Sequence, residues 1–375
     1  CYNKKNNTKP FIEDKLFILD QQKKDLIIKG SDVENSKPVL SIFRRFSAPI
    51  ICFSDLSIED HLFLFLNDND YFSMWDSGQY LMHKIIKNRI NNQIDHLLEV
   101  KFINAIRQSI KYLQIKDPFF LATLLTIPGL SELENSFERV NPISIYKECL
   151  NFQISIGQEN HSDFRILSKN LLIGINQDWP KGKGERKLLG KIWSYLAFAG
   201  DDQVKRTCVN AIDSPSMTIS RAALTALKSL DCPETKEASN LFYVLWKDNP
   251  VVLDSWFSYE ASRSNKDAIN VVEGLLSHPK FDWMAPNAIR AVLGGFSQNI
   301  ESFHSLDGCG YMFMAEKLIE VDKRNPITAS KMAKVFSRWR TFIDQNKDGM
   351  YKAISKINQS NISSNTREVV ELILK

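Results

Sequence analysis

Apolar residues recur every three or four positions along most of this 375-residue chain, from about residue 57 to the C-terminus. This spacing is typical of amphipathic helices, and Pro, Gly, Asn and Asp separate the segments. Pro286 and Pro326 stand where helices would begin, since proline is favoured in a first helical turn. The clearest helical segments are SIEDHLFLFL, SGQYLMHKIIKNRI, HLLEVKFINAIRQSIKYL, KLLGKIWSYLAFA and SRAALTALKSL.

The N-terminal pattern is different. Between residues 11 and 53, short runs rich in β-branched and aromatic residues flank polar turns, as in KLFILD, QQKKD and LIIKG. Two such runs around a short polar turn predict a β-hairpin. The expected division is therefore a small β region over 1–55 and a helical domain over 56–375.

Many helices joined by short polar turns over some 320 residues are most simply arranged as stacked pairs. The predicted fold class is mainly α, a HEAT- or armadillo-like superhelix with a short N-terminal β-sandwich remnant. No repeat of fixed period is present in the sequence, so this prediction depends on helix density and on the family resemblance described below.

Composition and charge narrow the function classes. Hydrophobic residues make up 43% and charged residues 25% of the chain, as in soluble globular proteins. A net charge of +4 without a dense basic stripe argues against nucleic acid as a partner. No run approaches the ~20 apolar residues of a membrane helix. Six widely spaced cysteines without a CxxC pair are typical of reduced thiols, which favours the cytoplasm.

Motifs for metal or nucleophile chemistry are absent from the sequence. It contains six histidines but no H-E-x-x-H, no P-loop and no G-x-S-x-G. DQNKDG at 344–349 resembles the start of a calcium loop, but Ser355 stands where the bidentate Glu is required. We therefore interpret this segment as a polar turn between helices and predict no catalytic or metal-binding residue in this chain.

The stretch FHSLDGCGYMF at 303–313 places His304 and Cys309 around a glycine-rich turn. A nucleophilic thiol would need the imidazole as its base and a third group to orient that base. The alternative is a structural turn formed by Asp307 and the glycines, followed by a helix that packs through Tyr311 and other apolar residues. The structural alternative is favoured because nothing in the sequence brings the imidazole to the thiol.

Several segments, in the same order along the chain, resemble the C-terminal part of the bacterial aminopeptidase N family, which consists of zinc metallopeptidases. The resemblance runs from about residue 10 to the C-terminus and includes FHSLDGCGYMF, where the cysteine position is not a nucleophile in the family. The segments are PVLSIFRRFSAPI, DNDYFSMWDSGQYL, LLTIPGLSEL, SPSMTISRAALTAL, VLDSWFSYEAS, HPKFDWMAPNAIRAVLGGFSQN and FHSLDGCGYMFMAEKLIEVDKRNP.

The resemblance implies the end of a β-sandwich at 8–55 and the helical C-terminal domain at 56–375. The family's zinc ligands belong to a catalytic domain that this sequence lacks, so zinc would be held elsewhere, by a possible separately encoded N-terminal part. Alone, the chain would be inactive. Cys1 is interpreted as a cut point or, alternatively, as a lipid-bearing residue.

In the family, the helical domain closes over the cavity that holds the peptide substrate. Arg290 matches a family arginine that projects toward the peptide, and Lys331 stands where a second basic residue is common. Arg290 shares a helical face with Gly294, which would leave room for a peptide carboxylate beside the guanidinium. The alternatives are that both cations form ordinary ion pairs, and that the whole chain is a non-catalytic helical scaffold that binds a peptide or protein.

Overall fold

The structure, a computed structural model, describes residues 1–2, 10, 15–27, 38–50, 52–173 and 181–375. These residues form two compact units, Cys1–Pro128 and Gly129–Lys375. Regular structure in the described ranges is helical, and β-pairing there is limited to two isolated bridges. The prediction of a mainly α chain is confirmed. The predicted domain boundary between residues 55 and 56 remains a prediction.

Helices of the first unit follow one another with short connections. Each begins at a Ser or Asp whose side chain accepts a hydrogen bond from a backbone N–H of the first turn, as helix caps do. The caps are Ser57, Asp70, Asp95 and Asp117. The helices are α1 (Ile58–Asn67), α2 (Tyr71–Ile90), α3 (His96–Lys116) and α4 (Pro118–Leu124).

The core of this unit forms where α1 meets α2 and α3. The rings of Phe65 and Phe102 are both fully buried, with centroids 5.2 Å apart. A Cβ atom at Gly78 would lie 2.9 Å from the Phe65 ring, so glycine allows α2 to approach α1 closely. Tyr2 is also fully buried and donates from its hydroxyl to Asp68 Oδ1 at 2.9 Å.

The hairpin predicted in the N-terminal region is not formed by the described residues. Residues 15–27 contain no strand, and in 38–50 only Val39 pairs, with Tyr2; residues 28–37 and Ile51 lie outside the described residues. A two-stranded hairpin without a sheet or core to pack against is marginal in water, and Leu16 is 83% exposed here. The β-sandwich remnant therefore stays a prediction.

The second unit is built from helices joined by short turns. Pro286 and Pro326 occupy first helical turns, as predicted. The helices are α5 (Leu130–Glu134), α6 (Pro142–Glu159), α7 (His161–Ile173), α8 (Lys183–Phe198), α9 (Asp202–Asn210), α10 (Met217–Leu227), α11 (Pro233–Trp246), α12 (Pro250–Ser262), α13 (Ala268–Leu276), α14 (Pro286–Ile289), α15 (Gly295–Ser297), α16 (Ile300–Phe303), α17 (Cys309–Asp322), α18 (Pro326–Ala333), α19 (Asp344–Gln359) and α20 (Ser364–Leu374).

Small residues let neighbouring helices of this unit pack closely. A Cβ at Gly157 of α6 would lie 2.3 Å from the Tyr195 carbonyl oxygen in α8, and one at Gly190 would lie 2.7 Å from the Ala222 Cβ in α10. Trp193, fully buried, donates from its indole nitrogen to the Ser168 hydroxyl at 3.2 Å. These approaches order α6, α8 and α10 as successive neighbours.

The C-terminal helices of the unit are connected by buried polar contacts. Asp322 at the end of α17 accepts hydrogen bonds from the Ser363 backbone N–H at 2.7 Å and from the Thr366 hydroxyl at 2.5 Å, at the start of α20. The DQNKDG segment does not form the expected inter-helix turn, because α19 begins at Asp344 and includes it. One reason is that Asn346 is buried and donates a hydrogen bond to the His304 carbonyl oxygen.

Candidate functional site

Arg290 begins an unusual turn of helix. It follows α14, and residues Arg290–Gly294 form a π-helical stretch that leads into α15. Such stretches are rare and are frequently found at functional sites. The Arg290 side chain is exposed and donates to Asn287 Oδ1 at 2.5 Å, and it has no ion pair within the described residues.

Gly294 and Gly295, consecutive residues at the end of this stretch, have different surroundings. A Cβ at Gly295 would lie 3.0 Å from the Ser258 carbonyl oxygen, so that side is pressed against α12. A Cβ at Gly294 would meet no heavy atom within 4 Å. The surface one turn after Arg290 is therefore open, whereas the Arg290 guanidinium reaches back to Asn287, so the room expected for a peptide carboxylate beside it stays a prediction.

Lys331 lies in the last turn of α18, one turn after the 60%-exposed side chain of Ile327. It is exposed and, among the residues the structure describes, forms no ion pair. Its ammonium offers a point charge without the two-pronged geometry of a guanidinium. Arg290 and Lys331 thus lie on different helical segments of the same unit, and among the described residues neither has an ion-pair partner.

The corner that contains His304 and Cys309 is structural. His304 is buried, and its Nδ1 lies 2.7 Å from the Tyr311 hydroxyl. Burial lowers the pKa of His304 to about 4, while partial burial raises the pKa of the Cys309 thiol. An imidazole held in this way and a thiol with a raised pKa do not form a base and nucleophile pair.

Backbone packing explains the glycines of this corner. Gly308 has a φ of 74°, and Asp307 Oδ1 accepts from the Cys309 backbone N–H at 3.0 Å. A Cβ at Gly310 would lie 2.3 Å from the Ser302 carbonyl oxygen, so no other residue fits there without a shift. Tyr311 is fully buried, as expected for the following helix. The structural interpretation of FHSLDGCGYMF is confirmed.

Metal ligands do not gather in the part of the chain that the structure describes. No group of three or more His, Cys, Asp or Glu side chains there could hold a metal ion. The zinc that the resemblance implies for the whole enzyme therefore has no fitting ligand set among these residues. No helix in the same residues is long and apolar enough to cross a membrane.

Residues 58–375 match the protein family described as "Domain of unknown function (DUF3458_C) ARM repeats". The chain belongs to this family. The armadillo-like prediction is confirmed by this membership, because ARM repeats are stacked helical repeats.

Relatives of this ARM-repeat chain include proteins named aminopeptidase N. It is 27% identical over 356 residues to the one from Caulobacter vibrioides, covering 90% of this chain and 39% of the relative. It is 27% identical over 339 residues to the one from Escherichia coli K12, covering 86% of this chain and 37% of the relative. The resemblance to aminopeptidase N is confirmed, and the chain corresponds to the C-terminal region of these proteins.

A solved structure has the same fold. The crystal structure of Legionella pneumophila aminopeptidase A in complex with aspartic acid aligns with a TM-score of 0.79 at 25% identity, covering 90% of this chain and 41% of that one. The chain therefore spans about two fifths of the length of the relatives it matches.

Proposed function

We propose that this chain is the substrate-enclosing, non-catalytic portion of a zinc aminopeptidase that removes N-terminal residues from peptides. Its support is the match of 86–90% of the chain to proteins named aminopeptidase N. Zinc would be held by a part of the enzyme that this chain does not contain, and the chain would be inactive alone. The proposed location is the cytoplasm, consistent with six free cysteines.

The observation that carries the proposal is the exposed Arg290 guanidinium, which has no ion-pair partner among the described residues. A guanidinium can bind a peptide carboxylate through two parallel hydrogen bonds, which fixes orientation as well as charge. Lys331 would supply a second, less directional positive charge. Both residues would contact the distal end of the peptide, away from the bond that is cleaved.

A catalytic part encoded as a separate chain is included in the proposal. Apolar side chains are exposed in the N-terminal segment, including Leu16 at 83%, Ile27 at 74% and Phe53 at 93%. Exposed apolar residues grouped in one segment are typical of surfaces that another polypeptide covers. We therefore assign this segment to the contact with the catalytic part.

The test mixes this chain with the complementary N-terminal part of the Caulobacter relative. KM and kcat are measured with a tetrapeptide that has a free C-terminal carboxylate and with its C-terminal amide. Arg290→Gln should raise KM for the free carboxylate about tenfold, since hydrogen bonds to charged groups contribute about 1.5–3 kcal/mol, and should leave the amide unchanged.

Arg290→Lys should have an intermediate effect, because it retains charge but not the paired hydrogen bonds. Lys323→Gln is the matched control, since Lys323 is exposed and lies in the turn after α17, away from Arg290 in the sequence. Equal KM values for the two substrates in every variant would contradict a carboxylate-binding role for Arg290.

A further inference from the structure

Asn287 and Arg290 lie three residues apart on one exposed helical face. Asn287 is in the first turn of α14, and Arg290 is the first residue of the π-helical stretch that follows. The two residues between them, Ala288 and Ile289, are buried, whereas Asn287 and Arg290 are both exposed. The proposed function uses Arg290 but assigns no role to Asn287.

Two kinds of contact join this pair. The Arg290 backbone N–H donates to the carbonyl oxygens of Asn287 and Pro286. The Arg290 guanidinium donates from Nη2 to Asn287 Oδ1 at 2.5 Å. The side chain is therefore held against a turn that backbone hydrogen bonds also fix, at the point where the regular helix passes into the wider π-helical turn.

The contact with Asn287 leaves the charge of Arg290 uncompensated. An amide oxygen accepts a hydrogen bond but carries no formal charge. Among the described residues Arg290 has no ion-pair partner. An aspartate at this position would hold the guanidinium as well, but it would also neutralise it. Asparagine is thus the residue type that orders the side chain and keeps its charge for an anion.

The same contact leaves donors for a carboxylate. A guanidinium has five N–H groups, and Nη2 carries two of them. One of these two lies beside the Nε hydrogen and the other beside a hydrogen of Nη1, so each forms a pair of parallel donors. Asn287 takes one Nη2 hydrogen and therefore leaves one of the two pairs intact. A carboxylate binds to such a pair through both of its oxygens.

We propose that Asn287 is a positioning residue, which orders the Arg290 guanidinium for binding the C-terminal carboxylate of the peptide substrate. This inference rests on the proposed function, because it requires that Arg290 binds that carboxylate. An exposed arginine side chain has many rotamers, and binding a ligand restricts them. A guanidinium that Asn287 already holds loses less conformational entropy when the carboxylate binds.

The first measurement uses the full chain without peptide. Nitrogen relaxation by NMR reports the mobility of the Arg290 Nε–H bond, whose signal is identified by its loss in Arg290→Lys. The order parameter should fall below about 0.6, the range of flexible groups, in Asn287→Ala. It should stay above this value in the unsubstituted chain and in Asn287→Asp, which retains an acceptor oxygen. Asn270→Ala is the matched control, since Asn270 is exposed in the first turn of α13.

The second measurement titrates the same chain with the tetrapeptide and with its C-terminal amide, again through the Arg290 Nε–H signal. Asn287→Ala should weaken binding of the free carboxylate about threefold, as expected for an exposed contact. Asn287→Asp should weaken it about tenfold, because the added charge replaces the peptide carboxylate at the guanidinium. Binding of the amide should be the same in every variant. Circular dichroism checks that each variant is folded.

The possible failures are distinguishable. An unchanged order parameter in Asn287→Ala would overturn the positioning role, whatever the peptide does. Tighter binding of the carboxylate by Asn287→Ala would also overturn it, since Asn287 would then withdraw the guanidinium from the substrate. Equal binding of the two peptides by the unsubstituted chain would instead refute carboxylate binding by Arg290, and the contact with Asn287 would then be structural only.

Discussion

The Nδ1 atom of His304 lies 2.7 Å from the hydroxyl of Tyr311 in the interior of the second unit. Asn346 Nδ2 donates to the same hydroxyl at 2.9 Å and to the His304 carbonyl oxygen at 2.8 Å. Because the hydroxyl accepts from Asn346, its single proton is available to Nδ1. Burial lowers the pKa of His304 to about 4, so the imidazole is neutral near pH 7.

Replacing Tyr311 with Phe removes the shared hydroxyl. His304 Nδ1 and one hydrogen of Asn346 would then be buried without partners, and each such group costs about 1–3 kcal/mol. We expect a loss of about 2 kcal/mol in the free energy of unfolding, measured by urea denaturation. Tyr351→Phe is the control, since Tyr351 is 49% exposed, and it should change stability by less than about 0.5 kcal/mol. Equal losses in the two variants would contradict the hydrogen-bond assignment.

The lowered pKa of His304 makes stability depend on pH with a definite sign. Burial lowers this pKa from 6.5 to about 4, so unfolding takes up a proton between these values. The contribution is complete above pH 6.5 and is lost as the pH falls toward 4, by about 3 kcal/mol in total. NMR titration of the imidazole measures the pKa directly. A His304 that titrates near 6.5 in the folded chain would show that the neutral buried state is not maintained.

Gly310 and Gly274 form a matched pair of helical glycines. A Cβ at Gly310 would lie 2.3 Å from the Ser302 carbonyl oxygen, whereas one at Gly274 meets nothing within 4 Å. Gly310→Ala should destabilise the chain by about 3 kcal/mol through backbone displacement. Gly274→Ala should stabilise it by about 0.5–1 kcal/mol, because alanine is the better helix former. Thermal unfolding of both variants tests the close approach, and similar shifts in Tm would contradict it.

Lys191→Met should stabilise the chain at neutral pH by about 1 kcal/mol, since it removes a half-buried charge that has no ion-pair partner among the described residues. The lowered pKa of Lys191 means that the folded chain releases this proton more readily than the unfolded chain. The advantage of the substitution should therefore fade as the pH rises toward the ordinary lysine value of 10.5. Chemical denaturation at pH 7 and pH 10 measures both, with Lys323→Met as a surface control. A loss of stability at pH 7 would mean that Lys191 has a stabilising partner.

Local signals in the sequence were sufficient for many helices but not for every segment. Pro286 and Pro326 predict helix starts correctly because their effect is confined to one turn. The strands expected near Leu16 are not observed, since a strand depends on neighbours that local sequence does not specify. DQNKDG was assigned to a turn by composition, but burial of Asn346 places it inside a helix.

Only part of the candidate site could be predicted from the sequence. Arg290 and Lys331 were identified through a family resemblance, and their spacing alone favoured ordinary ion pairs. The π-helical stretch was not predicted; in the structure it packs against α12.

We propose that this chain is one part of an aminopeptidase whose zinc centre lies elsewhere. The most direct measurement is hydrolysis of a fluorogenic alanyl substrate, with zinc present, by the chain alone, by the complementary N-terminal part of the Caulobacter relative alone, and by their mixture. We expect no activity from the chain and a rate in the mixture well above that of the N-terminal part. Activity of the chain alone would contradict the claim, and a mixture that forms a complex without gaining activity would favour a helical scaffold instead.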